Sequence, residues 1–216
     1  MYNNLTEIVF ILDRSGSMSG LERDTIGGFN SMIQKQKAET EGGDALVTTV
    51  LFDHRYEILH DRLEIVNVPE MTEKDYFVRG NTALLDAIGK TIRHIGSIHR
   101  YAREEDVPKK TLFVITTDGY ENSSRQFTSD EVKNMIRHQK EKYGWEFLFL
   151  GANIDAVETA RKYGIDEDRA VTYTCDSQGT QLNYRVVGEA VSAMRCSMPL
   201  TSKWKKDIEE DHKKRG

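Results

Sequence analysis

The stretch Thr6-Glu7-Ile8-Val9-Phe10-Ile11-Leu12-Asp13-Arg14-Ser15-Gly16-Ser17-Met18-Ser19-Gly20 decides the fold. Its first half is apolar at almost every position, the pattern of a strand buried on both faces of a parallel sheet; a half-exposed strand would alternate. Its second half turns polar at Asp13 and carries two glycines, so the strand gives way to a loop there. From Leu21 onward Ile26, Phe29, Met32, Ile33 and Gln36 recur at steps of three and four, which leaves one stripe of a helix apolar. Gly42-Gly43 ends that helix.

The same alternation continues outward along the chain. Ala45 to Phe52 reads as a second strand and Tyr56 to Val66 as a third, joined by Asp53-His54-Arg55. So short a connection allows an antiparallel hairpin and no parallel crossover, which makes the third strand a sheet edge. A helix follows over Thr82 to Arg100, with Leu85, Ile88, Ile92, Ile95 and Ile98 along one side, and then an apolar strand over Thr111 to Thr117. Ser129 to Tyr143, Asp155 to Tyr163 and Gln178 to Cys196 read as helices, separated by strands at Trp145 to Gly151 and Ala170 to Thr174. Strands alternating with helices imply right-handed crossovers. The fold class expected is therefore a Rossmann-like α/β structure: a doubly wound, mostly parallel six-stranded sheet with an antiparallel edge strand and helices on both faces. One domain is expected over residues 1–198. Beyond Pro199 the chain runs through Lys203-Trp204-Lys205-Lys206 into mixed charge, too poor in apolar residues for a core, and residues 199–216 are expected as a flexible charged tail.

Composition excludes several function classes. The 216 residues are 38% hydrophobic and 30% charged, with 30 Lys and Arg against 35 Asp and Glu for a net charge of -5. A mildly acidic chain is a poor match for nucleic acid, whose phosphates need positive surface. The apolar runs fall short of the roughly 20 residues that cross a bilayer, so no membrane partner is expected. Met1-Tyr2-Asn3-Asn4 shows neither a basic nor an apolar leader, and a cytoplasmic location is expected. The two cysteines, Cys175 and Cys196, form no CxxC pair and read as reduced thiols, with no disulfide framework or zinc cluster.

In a doubly wound sheet, ligands bind beyond the carboxyl ends of the strands, where the strand order reverses. The loops to inspect are Asp13 to Gly20, Gly80-Asn81-Thr82-Ala83-Leu84 and Asp118-Gly119-Tyr120-Glu121-Asn122. They supply two carboxylates and several hydroxyls, with no His or Cys. Oxygen-only ligation selects a hard cation, Mg²⁺, Ca²⁺ or Mn²⁺. In an extended turn alternate side chains share a side, so Asp13, Ser15 and Ser17 can converge while Gly16 lets the backbone curl. With Thr82 and Asp118 added, three of the five donors are neutral, and a divalent ion there would still need an anionic ligand from outside. The competing reading makes this a polar loop whose Ser17 or Ser19 caps the next helix. Glu121 could reach the same cation or stand as a solvated loop carboxylate.

Together, Phe10-Ile11-Leu12-Asp13-Arg14-Ser15-Gly16-Ser17-Met18, Gly80-Asn81-Thr82-Ala83-Leu84-Leu85-Asp86-Ala87-Ile88 and Ile115-Thr116-Thr117-Asp118-Gly119 resemble the von Willebrand factor type A (vWA) domain. The resemblance spans roughly Thr6 to Cys196 in element order and implies a metal-ion-dependent adhesion site (MIDAS). By resemblance Asp13, Ser15 and Ser17 are the first loop's metal ligands, Thr82 the second's and Asp118 the third's. It implies a non-enzymatic module, of the standalone intracellular bacterial or phage type, that holds Mg²⁺ and captures an Asp or Glu carboxylate of a partner protein. It also makes Gln178 to Cys196, the counterpart of the family's final helix, a candidate switch element.

Other chemistries fit less well. Gly89-Lys90-Thr91 lacks the glycine five residues earlier that a phosphate-binding loop needs, since Leu84 stands there. A metal-dependent phosphatase of haloacid-dehalogenase-like type is the alternative enzyme reading. It needs a second Asp two residues after Asp13 for acid/base work, and Ser15 occupies the place. Gly16-Ser17-Met18-Ser19-Gly20 puts Met18 where a serine hydrolase has its nucleophile. The histidines show no metal spacing, and His94 and His99 are expected to face solvent.

Overall fold

The structure, a computed structural model, describes residues 4–215. Among the described residues six strands form one sheet: β1 (Thr6–Asp13), β2 (Ala45–Phe52), β3 (Tyr56–Glu64), β4 (Lys110–Thr117), β5 (Glu146–Ala152) and β6 (Ala170–Tyr173). Their order across the sheet is β3-β2-β1-β4-β5-β6, and only the β2–β3 pair is antiparallel. The expected doubly wound sheet with an antiparallel edge is the architecture observed. The third strand is shorter than expected, because Ile65–Asn67 closes into a 3-10 turn.

Every residue of β1 is buried, as its unbroken apolar character demands. Alternate side chains leave it on opposite faces. Ile8, Phe10 and Leu12 join the core under α1 (Glu22–Ala38) and the helix over Ser177–Arg195, while Val9 and Ile11 join the core under α2 (Leu84–Tyr101), α3 (Ser129–Tyr143) and α4 (Ala156–Lys162). Local capping sets several helix ends. Thr128 and Glu131 form a reciprocal capping box at the start of α3, and Gly144 closes it in the left-handed region at φ 65°. Asp176 caps the Ser177–Arg195 helix, α5, through the Gly179 N–H at 2.8 Å.

Two expectations are corrected. The segment beyond Pro199 is no loose tail: it forms α6 (Lys206–Arg215), and Ile208 is 1% exposed within the core. Three partly or wholly buried apolar groups, Leu200, Trp204 and Ile208, recur at a four-residue step on one face of this charged segment, which is enough to seat it. Lys205 extends its stem under that face and donates to the carbonyls of Glu167 and Ala170 at 2.8 and 2.9 Å. His99 does not face solvent either. Glu7 in β1 is fully buried and needs partners, and the His99 ring supplies one, with Nε2 2.9 Å from Glu7 Oε2.

Strand order reverses between β1 and β4, since the chain leaves β1 for β2 on one side and returns to β4 on the other. The loops that follow these two strands therefore meet at the sheet's carboxyl end, beside the turn that leads into α2.

Candidate metal centre

Asp13 closes β1 and is 1% exposed. One carboxylate oxygen accepts the Ser15 N–H at 2.7 Å and the other accepts the Thr117 hydroxyl at 2.6 Å, which fixes the group in the floor. The Ser15 and Ser17 hydroxyls lie 3.0 Å apart, and Ser17 Oγ donates to Asp118 Oδ1 at 2.6 Å. Asp13, Ser15, Ser17 and Asp118 are thus brought together in one hydrogen-bonded arc. Thr82 stands in the loop just before α2, and Asn122 clamps it, accepting the Thr82 N–H at 3.0 Å and donating its own N–H to the Thr82 carbonyl at 3.1 Å. Gly119 shows how closely the loops meet: a methyl there would lie 3.6 Å from Ser17 Oγ and 3.8 Å from Thr82 Oγ1. All five residues singled out by sequence converge on this floor.

The serines are not helix caps. The residue before α1 is Leu21, and no side chain caps that helix. Glu121 is also spent elsewhere: its carboxylate accepts the N–H groups of Leu85, Ser123 and Ser124 and the Ser124 hydroxyl, all within 2.9 Å. Asp86 does similar work, accepting the N–H groups of Gln126 and Phe127 at 2.9 and 3.1 Å. These two acids shape the loop that carries Asp118.

Electrostatically the floor is unbalanced. Among the described residues neither Asp13 nor Asp118 has an ion pair with a Lys, Arg or His. Burial pushes the Asp13 carboxyl up to about 6, against the pull of the Thr117 and Ser15 hydrogen bonds, and the nearby Asp118 charge adds to the rise. Burial also raises Asp118, whose Oδ2 is buried without a protein partner. Two buried acids and three hydroxyls, with an acceptor oxygen left over, fit a hard divalent cation. No cluster of three or more His, Cys, Asp or Glu that could hold a metal occurs among the described residues, so a site here must draw on hydroxyls.

Behind the floor lies a network that sequence reasoning missed. Arg14, fully buried, turns away from the site and donates to Asp53 Oδ2 at 3.1 Å, Glu57 Oε2 at 2.5 Å and the Asp75 carbonyl at 3.2 Å. Arg79 adds a 2.7 Å bond to the same Asp53 oxygen. Backbone bonds carry this order into the floor: Arg79 N–H to the Arg14 carbonyl at 2.9 Å, Gly16 N–H to the Gly80 carbonyl at 3.1 Å, and Tyr76 OH to the Asp13 carbonyl at 2.6 Å. Asp53-His54-Arg55 reads in sequence only as a turn. Its one signal is an acid directly after a buried strand, one position beyond the placement of Asp13 at the end of β1.

No protein-family model matches this sequence, and no curated protein matched it. Solved structures do. Proximal thread matrix protein 1 from the mussel byssus is similar with a TM-score of 0.55 and 14% identity, over 89% of this chain and 46% of that one. The ArnB paralog VWA2 from Sulfolobus acidocaldarius gives 0.55 and 18%, over 87% and 45%. The vWF domain of the type V pili tip protein Mfa5 from Porphyromonas gingivalis gives 0.58 and 10%, over 86% and 96%. The chain thus spans about half the length of the first two, and the likeness is one of fold: this chain has a vWA-like fold.

Proposed function

We propose that Asp13, Ser15, Ser17, Thr82 and Asp118 hold a divalent cation, Mg²⁺ first with Mn²⁺ and Ca²⁺ as alternatives, and that the loaded site captures an Asp or Glu carboxylate of a partner protein. The chain is then a metal-dependent binding module rather than an enzyme. The observation that carries this reading is the pair of buried carboxylates without a cationic partner, one with an oxygen that no protein group satisfies. A bound cation would supply a Lewis-acidic position able to accept one more oxygen ligand.

The chain's own residues do the rest. Thr117 and the Ser15 N–H hold both Asp13 oxygens in place, so the floor is organised before any ligand arrives. Ser17 is exposed, as are Gly16, Gly80 and Asn81, and a partner side chain has access from that side. One structure of the mussel protein has a zinc-occupied MIDAS motif, which supports metal binding on this fold. The same reading places the protein in the cytoplasm with its two cysteines, both free in the structure, kept reduced; fractionation of the native host tests that.

Isothermal titration with Mg²⁺ should show binding by the wild type and none by Asp13→Ala, and equal binding by both sinks the proposal. Co-purification from the native host with and without EDTA tests the capture step; a partner retained equally in EDTA removes the metal from it.

A further inference from the structure

Behind the floor, between the sheet, α1 and α5, lies a small cavity of about 20 Å³ lined in part by Asp13, Thr25, Thr180 and Asn183. Three of these residues present a buried side-chain atom with no protein hydrogen-bond partner: Thr25 Oγ1, Thr180 Oγ1 and Asn183 Oδ1. Their residues are 2%, 4% and 4% exposed, so bulk water does not reach them. A buried polar atom left without a partner keeps its full desolvation cost, and three beside one cavity is a cost a native fold rarely retains. Much of the remaining lining is apolar, Leu12, Val114 and Val187 among it, and its hydroxyl-bearing members, Thr116, Tyr173 and Tyr184, make no hydrogen bond to these three atoms.

We infer that this cavity is a binding site for one structural water molecule. Its volume passes the threshold of about 10–15 Å³ for a single water and leaves no room for a larger ligand. The partners suit water's chemistry: the Asn183 carbonyl oxygen accepts, and each threonine hydroxyl can donate or accept. One water with two to four such partners is the usual arrangement for buried solvent. Thr25 belongs to α1, and Thr180 and Asn183 to the first turns of α5. The water therefore joins α5 to α1 directly behind the strand end that carries Asp13. The hydroxyls and the amide of the α5 inner face, which otherwise break its apolar stripe of Val186, Val187, Ala190 and Val191, are explained as the water's ligands.

The inference is independent of metal binding, so its test runs in EDTA. A high-resolution crystal structure of the full chain should show solvent density among the three atoms, and magnetic relaxation dispersion should detect one long-lived internal water. Asn183→Leu and Thr180→Val should each lower the melting temperature, because each strips a partner from a retained water. A cavity without density, or a melting temperature that rises on Asn183→Leu because an orphaned carbonyl has been removed, overturns the proposal.

Discussion

Asp13 and Asp53 sit one residue apart in register at the ends of neighbouring strands. Asp13 ends β1 paired with Phe52, and Asp53 is the next residue after it. Both are buried, yet they live in opposite electrostatic worlds. Burial alone would raise Asp53 too, but hydrogen bonds from Arg79 and the Arg55 N–H, with the charges of Arg79 and Arg14, outweigh it and hold the carboxyl below its ordinary range. Asp13 has only hydroxyl and N–H donors and another acid for company, and its carboxyl rises to about 6. The chain neutralises one buried acid from within and leaves the other for something outside. That difference separates a structural ion-pair cluster from a candidate binding site.

Breaking the neutralised side should have the largest effect. Arg14→Met leaves Asp53 buried with Arg79 as its remaining guanidinium, and should cost about 3–5 kcal/mol of unfolding free energy in denaturant titration. A loss below about 1 kcal/mol would mean that Arg79 suffices alone.

The pH response should set the two acids against each other. Asp13, raised in the fold, binds its proton more tightly there than in the unfolded chain. Its contribution in metal-free protein is therefore present at low pH and lost as pH rises from about 4 through 6, worth on the order of 3 kcal/mol. Asp53, lowered in the fold, contributes at neutral pH and loses that contribution as pH falls through its folded value. Melting curves of wild type and Asp13→Asn in EDTA between pH 4 and 7 separate them: the variant should lack the Asp13 component and keep the acid loss due to Asp53. Identical curves contradict the raised Asp13.

Metal should reverse the imbalance. At Mg²⁺ about 100 times its Kd the wild type should gain about 2.7 kcal/mol, and Asp13→Asn nothing, in thermal-shift titrations. Asp53→Asn should lose basal stability yet keep a metal-induced shift if its fold survives. The smallest effect expected is at Gly119, where Ala would place its methyl at ordinary contact distance from Ser17 and Thr82. Gly119→Ala should leave the metal-free melting temperature unchanged and weaken Mg²⁺ a few-fold, under about 1 kcal/mol.

Much of this was legible in the residues. The apolar run of β1 announced a strand buried on both faces, and the short Asp53-His54-Arg55 link announced an antiparallel edge, because two-fold and 3.6-fold periodicities are local properties of the chain. The convergence of the proposed donors was legible in part: Asp13, Ser15, Ser17 and Asp118 stand at strand ends or in the loops just after them, which are adjacent in sequence, whereas Thr82 sits before α2 and was reached through the resemblance. Arg14 was not: it sits inside the motif, but its partners Asp53, Glu57 and Asp75 come from segments that sequence spacing does not relate to it. Glu121 was ambiguous for the same reason. Its neighbours in sequence did not reveal that the free Leu85 N–H at the start of α2 would claim it. The segment after Pro199 misled because its three apolar residues are few, and only the sheet-side surface waiting for them makes them sufficient.

What the sequence determined by itself is therefore the order of elements, the doubly wound class and the donor types at three loop positions. These follow from hydrophobic period, loop length and side-chain chemistry, all short-range. What only the tertiary structure decided is which acids are neutralised and which are not. Asp13, Asp53, Asp86, Asp118 and Glu121 carry the same functional group, and a buried carboxylate's state depends on the charges and donors within a few ångströms, most of which arrive from distant parts of the chain.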